Sequence, residues 1–430
     1  MRSASMAAFL MLLACGAGCE IPAQTFWSPD GARAAYIPSS GSQAQAIIID
    51  ATGAIVDTLG RSTGGCAWSA DSRTLYFAVG SGSRARGSPS RVLTQWLPPK
   101  LHYEQPATRP AKDEPDAFGQ VVVSAWRDGR REELFRLDEG WAVWYMLVSP
   151  DGEWLAITGQ DLGAEEEEER NYVSVMVFNL KTRRLRLVSV GLSWAMAFTG
   201  PATLAYIQPL GWSGRRHPLP VGEVVETTLD ENAAALSRRR LATVPADSPW
   251  LEPLGEDLLL TTRPLILPAA PPEPEEQDRP YRLYRYMRST GTVAPLADEV
   301  GALFRPGPDR RLIMLQKLRR DDGEWRSELA VLDLSSGRTH ALCDLPQKMQ
   351  PHTAGHTPLA AYPAWRTSTE ISFLGEPAPA GKDDSDKRKT FDLALYRLTD
   401  RFEVKLLRVL SSGWPAELRP SAPRGSAGLK

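Results

Sequence analysis

The chain of 430 residues reads as an all-β protein, a seven-bladed β-propeller of four-stranded antiparallel blades, with six or eight blades as the adjacent counts. Three observations predict this. A strand–turn–strand signature recurs seven times at intervals of about 40–80 residues. A second pair of β-rich stretches follows each copy. The apolar runs inside each unit are apolar on both faces, so no unit can cover itself. A ring gives every such blade a neighbour on each side.

The first hairpin is FWSPDGARAAY at 26–36, the second WSADSRTLYF at 68–77 and the third VSPDGEWLAI at 148–157. Ser28-Pro29-Asp30-Gly31 and Ser149-Pro150-Asp151-Gly152 read as type I turns. Ser bonds back to the turn backbone, Pro pre-sets φ, and Gly closes the turn. Leu75-Tyr76-Phe77-Ala78 and Trp154-Leu155-Ala156-Ile157 are the strands that follow two of these turns. Looser copies stand at 198–207, 251–262, 304–315 and 364–374, the fifth turn being placed at Pro253-Leu254-Gly255-Glu256. The second halves fall at 46–60, 121–137, 173–190, 222–244, 281–296, 327–345 and 391–410. Blades are therefore expected near 20–63, 64–140, 141–191, 192–245, 246–300, 301–346 and 360–413, followed by a tail at 414–430.

The motif from Trp27 to Tyr36 and from Val148 to Ile157 resembles the TolB-type (WD40-like) propeller repeat, and Trp68 to Phe77 matches it with Ala-Asp-Ser in place of Pro-Asp-Gly. The resemblance spans most of 22–413 and implies the fold. Its members include envelope scaffolds, sugar-handling proteins and the regulatory propellers of prolyl-oligopeptidase-like enzymes, so it implies no single function.

Residues 1–19 read as a signal region outside the fold. Arg2 precedes an apolar run from Met6 to Ala14, too short to span a bilayer. Leu12-Leu13-Ala14-Cys15 looks like a bacterial lipobox, with Cys15 as the lipidated residue; Gly16-Ala17-Gly18-Cys19 makes Cys19 the alternative. An ordinary signal peptide cleaved near Ala17 is the other reading. The expected location is a membrane-anchored lipoprotein facing the periplasm or the cell exterior. Cys66, on an inner strand, and Cys343, on an outer one, are expected to be separate free thiols. With 50 Lys and Arg against 52 Asp and Glu, nothing draws the chain to nucleic acid.

At roughly 55–60 residues per unit the blades exceed the usual 40–45. The excess is expected between the second and third strands, at 38–45, 80–118, 159–171, 208–220, 263–280, 317–326 and 375–390. In an up-and-down blade these links all emerge on one face, where loops on a rigid scaffold carry function. Trp96, Leu97 and Tyr103 form an apolar centre in the longest link, and Arg215, Arg216 and His217 make a cationic spot in the fourth. These six are the candidate binding residues. Glu165 to Glu169 read as a solvated stretch, and the Pro-rich acidic run at 268–280 reads as extended.

No catalytic set is evident, and no cofactor is expected. Gly191-Leu192-Ser193-Trp194-Ala195 is the nearest approach to a nucleophile elbow, and it falls where an inner strand begins. His352 and His356 have metal-like spacing, but Gly355 between them and Pro351 and Pro358 around them oppose a helix, so they are weak candidates. Asp30, Asp71 and Asp151 have sufficient work in their turns. The favoured function is a non-enzymatic binding or scaffold protein of the cell envelope whose partner is an envelope protein or an extended peptide. The alternative is a carbohydrate-active lyase or hydrolase with its site at the central axis, and a purely structural lipoprotein is the third.

Overall fold

The computed structural model describes residues 23–38, 45–80, 120–139, 141–161, 172–213, 217–218, 221–231, 235–246, 248, 250–262, 280–321, 324–344, 361–375 and 392–415. Among the described residues there are strands and turns and no helix. The first sheet holds β1 (Ala23–Trp27), β2 (Arg33–Ile37), β3 (Ala46–Asp50) and β4 (Ile55–Gly60). The second holds β5 (Ser62–Trp68), β6 (Leu75–Gly80), β7 (Gln120–Arg127) and β8 (Arg130–Glu139). The third holds β9 (Trp141–Val148), β10 (Trp154–Asp161), β11 (Val173–Asn179) and β12 (Arg184–Gly191). The fourth holds β13 (Met196–Gly200) and β14 (Thr203–Pro209), then, after a separate hairpin of β15 (Trp212–Ser213) and β16 (His217–Pro218), β17 (Val221–Leu229) and β18 (Ala235–Pro245).

A seven-stranded sheet follows: β19 (Trp250–Leu254), β20 (Asp257–Thr262), β21 (Tyr281–Met287), β22 (Thr292–Pro306), β23 (Leu312–Asp321), β24 (Glu324–Asp333) and β25 (Arg338–Asp344). It is two four-strand units sharing β22, whose Val300 pairs with Tyr281 on one side and Lys317 on the other. Next, β26 (Ala361–Tyr362) returns to pair in parallel with β1. The last sheet holds β27 (Ala364–Thr367), β28 (Glu370–Gly375), β29 (Asp392–Leu398) and β30 (Val404–Val409). This is an all-β architecture of antiparallel, mostly four-stranded sheets, of β-propeller type.

The turn chemistry is the one the sequence dictates. The Ser28 hydroxyl donates to Asp30 Oδ1 at 2.6 Å and accepts the Arg33 amide at 3.0 Å, while Gly31 N bonds Ser28 O at 2.8 Å. Ser69 and Asp71 repeat this, as do Ser149 and Asp151. The Ser69 hydroxyl, then the Arg73 amide, hold the Asp71 carboxyl below the usual range. Gly31 and Gly152 sit at φ 66° and 73°. Their surroundings differ: a Cβ on Gly152 meets nothing within 4 Å, whereas one on Gly31 would lie 2.8 Å from Arg366 O. Gly152→Ala is therefore expected to cost roughly 1–2 kcal/mol of backbone strain alone. Gly31→Ala should cost at least about 1 kcal/mol more for the added overlap, read as the difference between the two denaturation midpoints.

In every unit the second strand ends and the third begins at one end of the sheet, and the tight turns lie at the other. The turn ends of neighbouring sheets meet: Asp30 N bonds Ser72 Oγ at 3.0 Å, Thr182 Oγ1 bonds Glu231 O at 3.0 Å, and Arg366 Nε bonds Gly31 O at 2.9 Å. Three details differ from the sequence reading. The expected loop at 317–326 is mostly ladder, since β23 and β24 pair out to Asp321 and Glu324 and leave only 322–323 between them. The segment 208–220 carries the β15–β16 hairpin. The fifth turn is the two-residue turn Gly255-Glu256, because Leu254 pairs directly with Asp257 and Gly255 supplies φ 63°.

The apolar cores lie between sheets. Ile37, Ile48 and Leu59 of the first pack on Cys66, Phe77 and Trp126 of the second. Ile47, Ile49 and Tyr36 of the first pack on Leu393, Leu395, Leu410 and Trp414 of the last. Each such fully buried side chain contributes about 1.5–3 kcal/mol over exposure. Indole donors stitch these interfaces together. Trp68 Nε1 bonds Phe26 O at 2.8 Å, Trp27 Nε1 bonds Ser372 Oγ at 2.8 Å, and Trp414 Nε1 bonds Gly53 O at 2.8 Å. Cys66 is buried and Cys343 half-buried, and neither is in a disulfide.

Candidate functional site where the first strands meet

First strands that are not neighbours in the sheet order touch one another, which places their side chains at a common centre. Tyr145 comes from β9, Trp250 and Glu252 from β19, and Arg305 from the end of β22 just before a tight turn. Arg305 Nη1 donates to Glu252 Oε1 at 3.0 Å. Trp250 Nε1 donates to the same oxygen at 3.0 Å, and the Tyr145 hydroxyl at 3.4 Å. The Arg305 guanidinium lies 4.6 Å from the Trp250 ring centre and 6.0 Å from that of Tyr145, and the two rings lie 4.8 Å apart. Trp365 of the last sheet bonds Arg305 O at 2.9 Å. Five residues from β9, β19, β22 and β27 thus share one polar cluster inside an apolar surround.

Burial sets its electrostatics. The Glu252 and Arg305 side chains are only 15% and 23% exposed. Burial pushes the Glu252 carboxyl above its ordinary range, although Arg305, Trp250 and Tyr145 all favour its charge. Burial, then the Glu252 charge, push the Tyr145 phenol well up. Burial also raises the Cys66 thiol on β5, and the Arg305 charge draws it partly back. The cluster presents a guanidinium framed by two aromatic rings beside a carboxyl whose charged form burial disfavours. It brings together one carboxylate and one cation rather than two carboxylates. Among the described residues no group of three or more His, Cys, Asp or Glu could hold a metal ion.

None of the residues singled out from sequence is among these five. Trp96, Leu97, Tyr103, Arg215, Arg216, Cys15, Cys19, His352 and His356 fall outside the described residues. His217 is in β16, with its backbone in register with Ser213. Asp30, Asp71 and Asp151 sit in the turns. The Ser193 hydroxyl, in the elbow-like segment, donates to Ser248 O and accepts the Ala195 amide at 3.0 Å, a structural task. The central cluster was missed, yet a signal existed. The strands β1, β5, β9 and β13 carry no charged residue, so Glu252 and Arg305 stand out at equivalent places in later copies.

No protein-family model matches the chain, and no curated protein matches it. Solved structures do. TolB from Acinetobacter baumannii is 12% identical over 72% of this chain and 68% of that one, with a TM-score of 0.39. An oligogalacturonate lyase from Vibrio parahaemolyticus is 10% identical over 82% and 85%, with a TM-score of 0.48. A puromycin-hydrolyzing peptidase from Mycobacterium tuberculosis is 14% identical over 92% of this chain and 54% of that one, with a TM-score of 0.46. The chain is similar to TolB and to TolB-like proteins at low identity.

Proposed function

We propose that the chain closes into a ring of seven four-stranded blades, is held at an envelope membrane by lipid on Cys15 or Cys19, and acts as a non-enzymatic binding scaffold through the links on one rim. One observation carries this reading: the links from second to third strands, long in every unit but that of β23 and β24, leave from one end of each unit, while the other end is closed by tight turns, several bonded to a neighbouring sheet. Counting β22 as shared makes the blades seven. The packing of the last sheet on the first supports closure, because it repeats the packing of the first on the second. In both, the end of an outer strand meets the far turn of the next sheet, as Leu59 O does Arg131 and Leu410 does Gly53.

The test is a photo-reactive residue placed in intact cells at Trp96 or at Arg73, which lies exposed in a tight turn. A reproducible protein adduct from position 96 and none from 73 is the expected result; adducts only from 73, or from neither, would overturn the reading. Cys15→Ser combined with Cys19→Ser should abolish labelling by palmitate. A second, carbohydrate-active reading draws on the Glu252 carboxyl, held toward its protonated form beside Arg305 and Tyr145. It requires that Glu252→Gln destroy turnover of an acidic oligosaccharide while the fold is kept.

A further inference from the structure

Six large apolar side chains are exposed among the described residues, and four of them fall on two strands. Ile55 and Val56 are on β4, and Leu406 and Leu407 are on β30, the outermost strands of the first and last sheets. Leu406 is 58% exposed, the highest of the six. These two sheets pack on each other through a shared core. The turn ahead of β4 is seated on Leu410, just past β30, and Trp414 Nε1 bonds Gly53 O across the join. The exposed apolar residues therefore flank one seam. Lys405 and Arg408 bracket the two leucines along β30 and are also exposed. Isolated apolar residues on a surface need no explanation, but a concentration flanked by basic residues does.

The first described residue stands beside the same two sheets. Ala23, the first residue of β1, pairs with Ala361 of β26, which leads into β27 of the last sheet. Cys15 lies eight residues before Ala23. Eight extended residues reach roughly 26–29 Å. Four strands side by side span only about 14 Å between the outermost axes. A lipid on Cys15 would thus hold the outer edge of the first and last sheets within reach of the bilayer, while sheets across the ring face away.

We propose that this seam, with Leu406 and Leu407 at its centre, rests on the anionic phospholipid surface to which the tether is fixed. The leucines enter the headgroup–acyl boundary, and Lys405 and Arg408 meet lipid phosphates. The proposal depends on the lipid anchor proposed above. It adds an orientation, because the membrane then lies against the side of the ring and leaves the looped rim open to a partner.

The test uses the full chain in vesicles of equal parts phosphatidylethanolamine and phosphatidylglycerol. Benzoylphenylalanine replaces Leu406 or, as the control, Arg240 on the exposed outer strand of the fourth sheet. Phospholipid adducts should be about tenfold more abundant from 406 than from 240, and Lys405→Gln with Arg408→Gln should cut them several-fold. Equal yields at the two positions, or adducts from 406 to a second copy or another protein, would overturn the proposal. The mass of the N-terminal peptide in the same digest separates the two readings. An acylated chain with no lipid adduct at 406 sinks the docking surface alone; an unacylated chain sinks the anchor and the surface with it.

Discussion

Arg305→Met should lower stability by about 3–5 kcal/mol at neutral pH, because it strands a buried carboxylate without its cation. The Glu252 and Arg305 side chains are each less than a quarter exposed, so solvent screening removes little of this effect. Glu252→Gln should be milder. The amide keeps an oxygen for the Trp250, Tyr145 and Arg305 donors and removes the charge that burial disfavours, while the Arg305 guanidinium, 23% exposed, keeps that polar partner and some solvent, so the change at pH 7 should be small. Added to Arg305→Met, it should recover most of the loss. The sign with pH follows from the raised Glu252 carboxyl. Below about 4.3, the ordinary glutamate value, the group is neutral in folded and unfolded chains alike. As pH rises toward the raised value, the unfolded chain ionises first, so the contribution of Glu252 to stability is withdrawn. Wild type and Glu252→Gln should match at low pH and diverge in favour of Gln above it. Urea midpoints for the four chains across pH check this, and Arg305→Met as mild as a surface change would refute the buried-pair description.

Gly53→Ala is the second large effect. Gly53 has φ 90°, and a Cβ there would overlap Leu410 O and lie 2.8 Å from Leu410 Cα. Both atoms are backbone, so no rotamer change relieves the overlap. Backbone strain and overpacking together should cost about 2–6 kcal/mol. The damage should localise, since Gly53 O is also the acceptor for the buried Trp414 indole. The expected readout is faster amide exchange at 392–415 and 46–60 with little change in 141–191. Uniform loss of protection across the sheets would instead mean that the join of first and last sheets is not a separate point of weakness.

The hairpins were legible because their chemistry is local. Ser28, Asp30 and Gly31 need only each other and Arg33 to make their turn, and the same holds from Ser69 to Thr74 and from Ser149 to Trp154. The separate thiols of Cys66 and Cys343 followed from strand order alone. The extension of β23 and β24 was not legible, since Arg319 to Arg326 is a charged run that reads as a loop until its cross-strand pairing is seen. The fifth turn was misplaced by one residue because Pro253 drew the turn toward itself. The central cluster lay beyond reach for a different reason. Tyr145, Glu252 and Arg305 are brought together by the arrangement of whole sheets, 107 and 53 residues apart. No spacing rule links them; only the oddity of charge in an apolar frame marked two of the three.

β22 runs fifteen residues from the outside of one four-strand unit to the inside of the next, with register shifts against both partners and Glu299 at φ 51° near its middle. Elsewhere the passage between neighbouring units goes through a bend or a longer linking segment, as at 345–360 before β26. Because Val300 is paired on both sides, main-chain hydrogen bonding ties these two units together at that rung. Parting these two units breaks backbone pairing, whereas the first and last sheets are joined by side-chain packing, the Trp414 indole and the short β1–β26 pairing.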